Sequence, residues 1–131
     1  CEKPLEAQSI HAVEAFGPVS TIMPYDDPAE AATIANAGKG SLVLSIFSQD
    51  PAAIADLVGG ASPFHGRIMI VGRDNAEFST GHGAAMPHLQ HGGPGRAGGG
   101  AELGGFIGMM PYLQRSAIQA SNAVLEAIEG R

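Results

Sequence analysis

The residue types best able to do chemistry stand together near the start of the chain, in Glu14-Ala15-Phe16-Gly17-Pro18-Val19-Ser20. A carboxylate and an aromatic ring lie two positions apart, ahead of a Gly-Pro pair whose proline fixes its own φ. A carboxylate can accept hydrogen bonds from paired hydroxyls such as those of a ribose, and a ring offers a flat apolar surface. The plain alternative is a solvated loop carboxylate, the usual state of a surface glutamate. Composition does not decide between the two.

Three other groups carry chemical capacity. Gly93-Pro94-Gly95-Arg96-Ala97-Gly98 has the spacing G-x-G-x-x-G. That spacing binds a dinucleotide only when a strand precedes it and a helix follows, so that phosphates meet amide groups at the helix N-terminus. Here His88-Leu89-Gln90-His91 precedes and two more glycines follow, so the expectation is a glycine turn packed closely against other backbone. His82, His88 and His91 are near one another, with His65 and His11 further off, but no cysteine or carboxylate joins them at a zinc spacing. They are expected to bond loop backbone or line a polar pocket, with no metal. Cys1 is a thiol with no visible base or oxyanion site, so no nucleophilic role is assigned to it.

The elements that position these groups read as α/β. In residues 1–13, Pro4 breaks the start, and Ile10 with Val13 suggests a short extended piece. Val19 to Tyr25 predicts a strand. Asp26-Asp27-Pro28 begins a helix, with Asp27 as cap, Pro28 at its first position and Glu30 at the positive end of the dipole. Gly38 is expected to end it by a left-handed cap. Leu42 to Phe47 is the apolar run of a strand covered on both faces.

Ser48-Gln49-Asp50-Pro51 repeats the capping pattern, for a helix from Pro51 to about Val58 closed by Gly59-Gly60. Arg67 to Val71 predicts a third strand. The alternation implies a parallel sheet of two successive βαβ units with right-handed crossovers. Residues 72–105 then form a long glycine-rich loop, of the kind that is functional or disordered. Phe106 to about Leu113 predicts a short helix with Pro111 in its first turn. Arg115 to Ala120 predicts an extended segment, and Val124, Leu125 and Ile128 have helical spacing.

Composition narrows the partners. The chain has 131 residues, fit for one domain, and a formal charge of -6 with only 7 basic residues. That balance argues against nucleic acid. No apolar run reaches the ~18 residues that span a bilayer, so no membrane role is expected. A single cysteine excludes an internal disulfide framework and fits a reducing, cytoplasmic setting. The start at Cys1 rather than Met leads us to expect a missing N-terminal portion.

Glu14-Ala15-Phe16-Gly17-Pro18-Val19 resembles the E-x-F-G-P-V segment of the aldehyde dehydrogenase superfamily. The likeness continues through Ala35-Asn36 at a helix end, Gly38 to Phe47, Gly66 to Val71, and the glycine pattern from Gly92-Gly93 through Gly98 and Gly100 to Glu102-Leu103-Gly104, over about residues 8–120. Arg73-Asp74-Asn75-Ala76, Ser79-Thr80-Gly81-His82-Gly83 and His91 to Gly100 resemble the phenylacetate-catabolism branch. Its members oxidise a CoA-linked semialdehyde, and some carry a fused hydratase domain that opens oxepin-CoA. A related branch serves a benzoyl-CoA route.

The resemblance implies that residues 1–131 are the C-terminal part of the catalytic domain of an NAD- or NADP-dependent enzyme. In the family the nucleophile, general base and cofactor-phosphate site lie N-terminal to this segment, so it implies no catalytic residue here and no activity of this chain alone. Glu14 matches the carboxylate that binds the nicotinamide-ribose hydroxyls, and Phe16 the aromatic beside that ribose. His91 falls where many members place a pocket-lining aromatic, so it is expected to face the substrate. Open sheet edges suggest a homo-oligomer. The alternative is a non-catalytic, oligomerising structural module.

Overall fold

The computed structural model describes residues 1–81, 92–98, 110–113 and 115–130. The element order begins with a five-residue helix α1 (Gln8–Ala12), where a short extended piece was expected. Ile10 lies within it, and Val13 closes it by donating its N–H to the Ser9 carbonyl at 3.0 Å.

Helix α2 (Pro28–Asn36) starts as its sequence dictates. The Asp27 carboxylate accepts from the Glu30 N–H at 2.9 Å, while the Glu30 carboxylate reaches back to the Asp26 N–H at 2.8 Å. Two N-terminal donors are satisfied reciprocally, in the manner of a capping box. Its end differs from expectation. The left-handed residue after α2 is Lys39, with φ 59°, followed by Gly40 at 132°, and Gly38 does not take that role.

Strand β1 (Ser41–Phe47) leads into helix α3 (Pro51–Ala61), capped by Asp50, whose Oδ1 accepts from the Ala52 N–H at 2.9 Å. Helix α3 runs straight through Gly59-Gly60, which were expected to stop it. A Cβ on Gly60 would lie 2.9 Å from the Ala32 Cβ, and Asn36 Nδ2 donates to the Gly60 carbonyl at 2.8 Å. Gly60 therefore serves the close approach of α2 to α3, and packing overrides its weak helix propensity.

Strand β2 (His65–Val71) pairs parallel with β1, from Ser41 opposite His65 to Phe47 opposite Val71. Strand β3 (Ala117–Gln119) pairs parallel on the far side of β2, and helix α4 (Asn122–Glu129) follows it. The sheet is three-stranded in the order β1-β2-β3. The α/β class with a parallel sheet is as expected.

The strand predicted from Val19 to Tyr25 is absent. That stretch is an exposed, irregular segment, with Ile22 86% exposed. Its apolar residues match a strand, but a strand is defined by its neighbour, and no sheet partner lies beside it among the described residues. Pro18 and Pro24 also remove two donors. Of the two expected βαβ units, β1-α3-β2 is present as such. The second parallel connection runs from β2 to β3 through residues that lie partly outside those described.

The core is a cluster of Ile46, Ile54, Val58, Ile68 and Ile70, with Val124 and Ile128 of α4 and Ile118 of β3 packed against it. Strand β2 is buried from His65 to Ile70, the pattern of a central parallel strand. Strand β1 is not covered on both faces as expected: Leu42 is 55% exposed and Phe47 72%. It lies at the sheet edge. Of the predicted helix at 106–113, the described part is a 3₁₀ turn at Met110–Leu113.

Candidate functional site

The Glu14–Phe16 loop leaves α1 at Val13 and presents both side chains to solvent, the Phe16 ring being 93% exposed. Beyond it the chain turns tightly: the Val19 N–H donates to the Gly17 carbonyl at 2.8 Å, a three-residue turn centred on Pro18. Further on, the Cys1 backbone nitrogen lies 2.7 Å from the Ile22 carbonyl. The Cys1 thiol is free and exposed. On the near side, His11 Nε2 lies 2.7 Å from the Pro4 carbonyl. A carbonyl only accepts, so Nε2 carries a proton there.

The structure thus sets Glu14 and Phe16 on one solvent-facing loop. His91, the expected substrate-facing residue, lies outside the described residues, as do His82, His88 and the Glu102-Leu103-Gly104 stretch. Among the described residues no group of three or more His, Cys, Asp and Glu side chains could hold a metal, and no helix is long and apolar enough to cross a membrane.

The glycine-rich segment behaves as a packed turn. Gly95–Ala97 is a single 3₁₀ turn ended by Gly98 with φ 82°, and Gly93 and Gly98 form an isolated bridge. Side chains at Gly40, Gly66, Gly93 or Gly95 would each collide with a carbonyl oxygen across this junction. The segment lies against the starts of β1 and β2, and its glycines are needed for that backbone contact, not for phosphate.

Sequence reasoning assigned no site to a polar cluster at the same end of the sheet. His65 is buried, with Nδ1 2.6 Å from Ser41 Oγ. Ser41 Oγ also stands 3.3 Å from the Val43 carbonyl. One hydroxyl proton serves both contacts only if Nδ1–H donates to Oγ and Oγ–H donates to Val43. His65 Nε2 is buried without a partner among the described residues. Loss of hydration on burial holds the His65 pKa below its ordinary value. Ser116, just before β3, shares its hydroxyl proton between the carbonyls of Ser62, at 2.7 Å, and His65. The signal for this cluster is the strand register, which no single segment reveals.

A cleft of about 480 Å³ also opens between α2, α3 and the outer edge of β1, lined chiefly by apolar groups such as Ile34, Leu44, Phe47 and Leu57. Its few polar groups, such as Ser45 and Ser48, are uncharged.

The architecture is that of a parallel α/β segment with an exposed carboxylate–aromatic loop after α1 and a glycine-rich turn packed against the starts of β1 and β2. The chain belongs to the aldehyde dehydrogenase family, whose pattern it matches over residues 3–118. It is 47% identical over 128 residues to Protein MaoC of Klebsiella aerogenes, covering 98% of this chain and 38% of that protein. It is also 48% identical over 94 residues to 3,4-dehydroadipyl-CoA semialdehyde dehydrogenase of Aromatoleum evansii, covering 72% of this chain and 18% of that protein. The chain therefore spans well under half the length of these relatives.

Proposed function

We propose that this chain is the C-terminal part of the catalytic domain of a cytoplasmic, NAD- or NADP-dependent aldehyde dehydrogenase. Its parent protein oxidises a CoA-linked semialdehyde to the acid in aromatic-compound catabolism of the phenylacetate type. The observation that carries the reading is the exposed Glu14–Phe16 loop in a chain of this family. The activity for which the Aromatoleum evansii relative is named supports the CoA-semialdehyde substrate.

The nicotinamide cofactor supplies the hydride acceptor. This chain's residues hold and orient it. The Glu14 carboxylate is exposed, and so open to accept from a pair of ribose hydroxyls. The Phe16 ring is exposed on the same loop and offers an apolar face to cover that sugar and its ring. Two acceptor oxygens against two adjacent hydroxyls fix orientation as well as affinity. His91 is assigned to the substrate side, where a polar ring suits a substrate with hydrogen-bonding groups near its aldehyde. The nucleophilic cysteine and the base are assigned to parts of the parent outside this chain.

The outer edge of β1, which pairs with no further strand among the described residues and exposes Leu42 and Phe47, supports assembly of the parent as a homo-oligomer.

Glu14→Gln in the full-length protein keeps size and removes charge. Weaker cofactor binding and slower cofactor reduction with a CoA-linked semialdehyde are expected, while the 131-residue chain alone should show no turnover. Unchanged kinetics in Glu14→Gln would remove the main residue from this assignment.

A further inference from the structure

Arg96, in the middle of the glycine-rich turn, links that turn to the last turn of α1. Its backbone N–H donates to the Lys39 carbonyl at 3.1 Å. In its side chain, Nη1 donates to the His11 carbonyl at 2.8 Å and lies 3.5 Å from the Gly38 carbonyl. His11 is in the last turn of α1, and Gly38 follows the end of α2. Carbonyls at helix ends lack intrahelical partners and carry the negative end of the dipole, so a guanidinium between two of them is electrostatically favoured.

The tie acts at a sensitive place. His11 stands three residues before Glu14, and the intervening Val13 is closed onto α1 by its hydrogen bond to Ser9. Beyond Val13, the next backbone hydrogen bond among the described residues is the Gly17–Val19 turn. The orientation of α1 therefore sets the starting direction of the loop, and Arg96 holds the end of α1 from which the loop departs.

We propose that Arg96 is a positioning residue for the cofactor-facing loop, coupling Glu14 and Phe16 to the segment that carries His91. The inference rests on the assignment of Glu14 and Phe16 to the nicotinamide ribose. Arg96 touches neither cofactor nor substrate. It acts by fixing α1 at the distance set by the packed glycine turn. A lysine keeps the charge and reaches one carbonyl, whereas a methionine of similar length reaches none.

The test compares Arg96→Met, Arg96→Lys, Glu14→Gln and the double variant Arg96→Met/Glu14→Gln in the full-length protein, with calorimetric titration of NAD and NADP. Arg96→Met is expected to weaken nucleotide binding about tenfold, the scale of one lost charge-assisted hydrogen bond. Arg96→Lys should recover most of that loss. The double variant should lose less than the product of the two single losses, because both changes weaken the Glu14 contact.

Wild-type affinity in Arg96→Met, or losses that multiply in the double variant, would overturn the proposal. If Glu14→Gln itself binds nucleotide normally, the cofactor assignment fails, and amide hydrogen exchange at Val13, whose N–H closes α1 onto Ser9, decides what remains. Faster exchange there in Arg96→Met upholds the positioning of the loop. Unchanged exchange overturns it.

Discussion

Ser41 and His65 face each other in the paired register of β1 and β2, with Ser41 Oγ 2.6 Å from His65 Nδ1. The pair lies where the glycine-rich turn crosses the sheet, since side chains on Gly66 and Gly93 would meet the backbone of Gly92 and of Ser41 respectively. A buried imidazole is thus built into the junction that carries Arg96.

This burial makes stability depend on pH. His65 titrates below its ordinary value of 6.5 when folded, so near and below that value the unfolded chain binds the proton more readily. Its contribution is present above the unfolded value and is lost as pH falls through the folded one. The urea midpoint should fall between about pH 7 and pH 5 by more in the wild type than in His65→Asn, which keeps a polar contact to Ser41 and removes the titration. Parallel pH profiles for the two proteins would show that His65 does not titrate on unfolding.

The two adjacent glycines of α3 should respond in opposite directions. Nothing stands within 4 Å of a Cβ on Gly59, whereas one on Gly60 would lie 2.9 Å from the Ala32 Cβ. Gly59→Ala should stabilise by about 0.5–1 kcal/mol through lower chain entropy in the unfolded state. Gly60→Ala makes the same local gain, but parting α2 from α3 should leave it destabilised by about 1 kcal/mol. Chemical denaturation of both variants reads the contrast, and equal effects would mean that α2 yields freely.

Lys39 occupies the left-handed region with φ 59°, without the tolerance of glycine. Lys39→Gly removes that conformational cost and leaves the carbonyl that accepts from Arg96 in place. A net gain of about 0.5–1 kcal/mol is expected, since glycine's own entropy cost offsets part of the relief. A lower melting temperature in Lys39→Gly would show that the Lys39 side chain makes a compensating contact.

Local chemistry was legible where one short segment contains its own cause. Asp27-Pro28 and Asp50-Pro51 cap and start α2 and α3 because a carboxylate and a proline act within one turn of backbone. The apolar run through Ile70 marks a buried strand for the same reason, as do Val124 and Ile128 for the core face of α4. The Glu14–Phe16 motif was visible as a motif, and the structure adds that the loop is bounded by the hydrogen bond closing α1 at Val13 and by the turn at Val19.

By itself, then, the sequence determined the capped helices, the apolar strands, their parallel α/β order and the family. Only the tertiary structure decided that Val19 to Tyr25 has no sheet neighbour among the described residues, that Gly60 is a contact point and not a stop, and that Lys39 takes the left-handed turn. It also decided that Ser41 meets His65 and that Arg96 reaches His11, a pair 85 residues apart in the chain. Strand pairing, helix–helix approach and long-range hydrogen bonds depend on what lies across from a residue. Propensity reports only on what lies beside it along the chain.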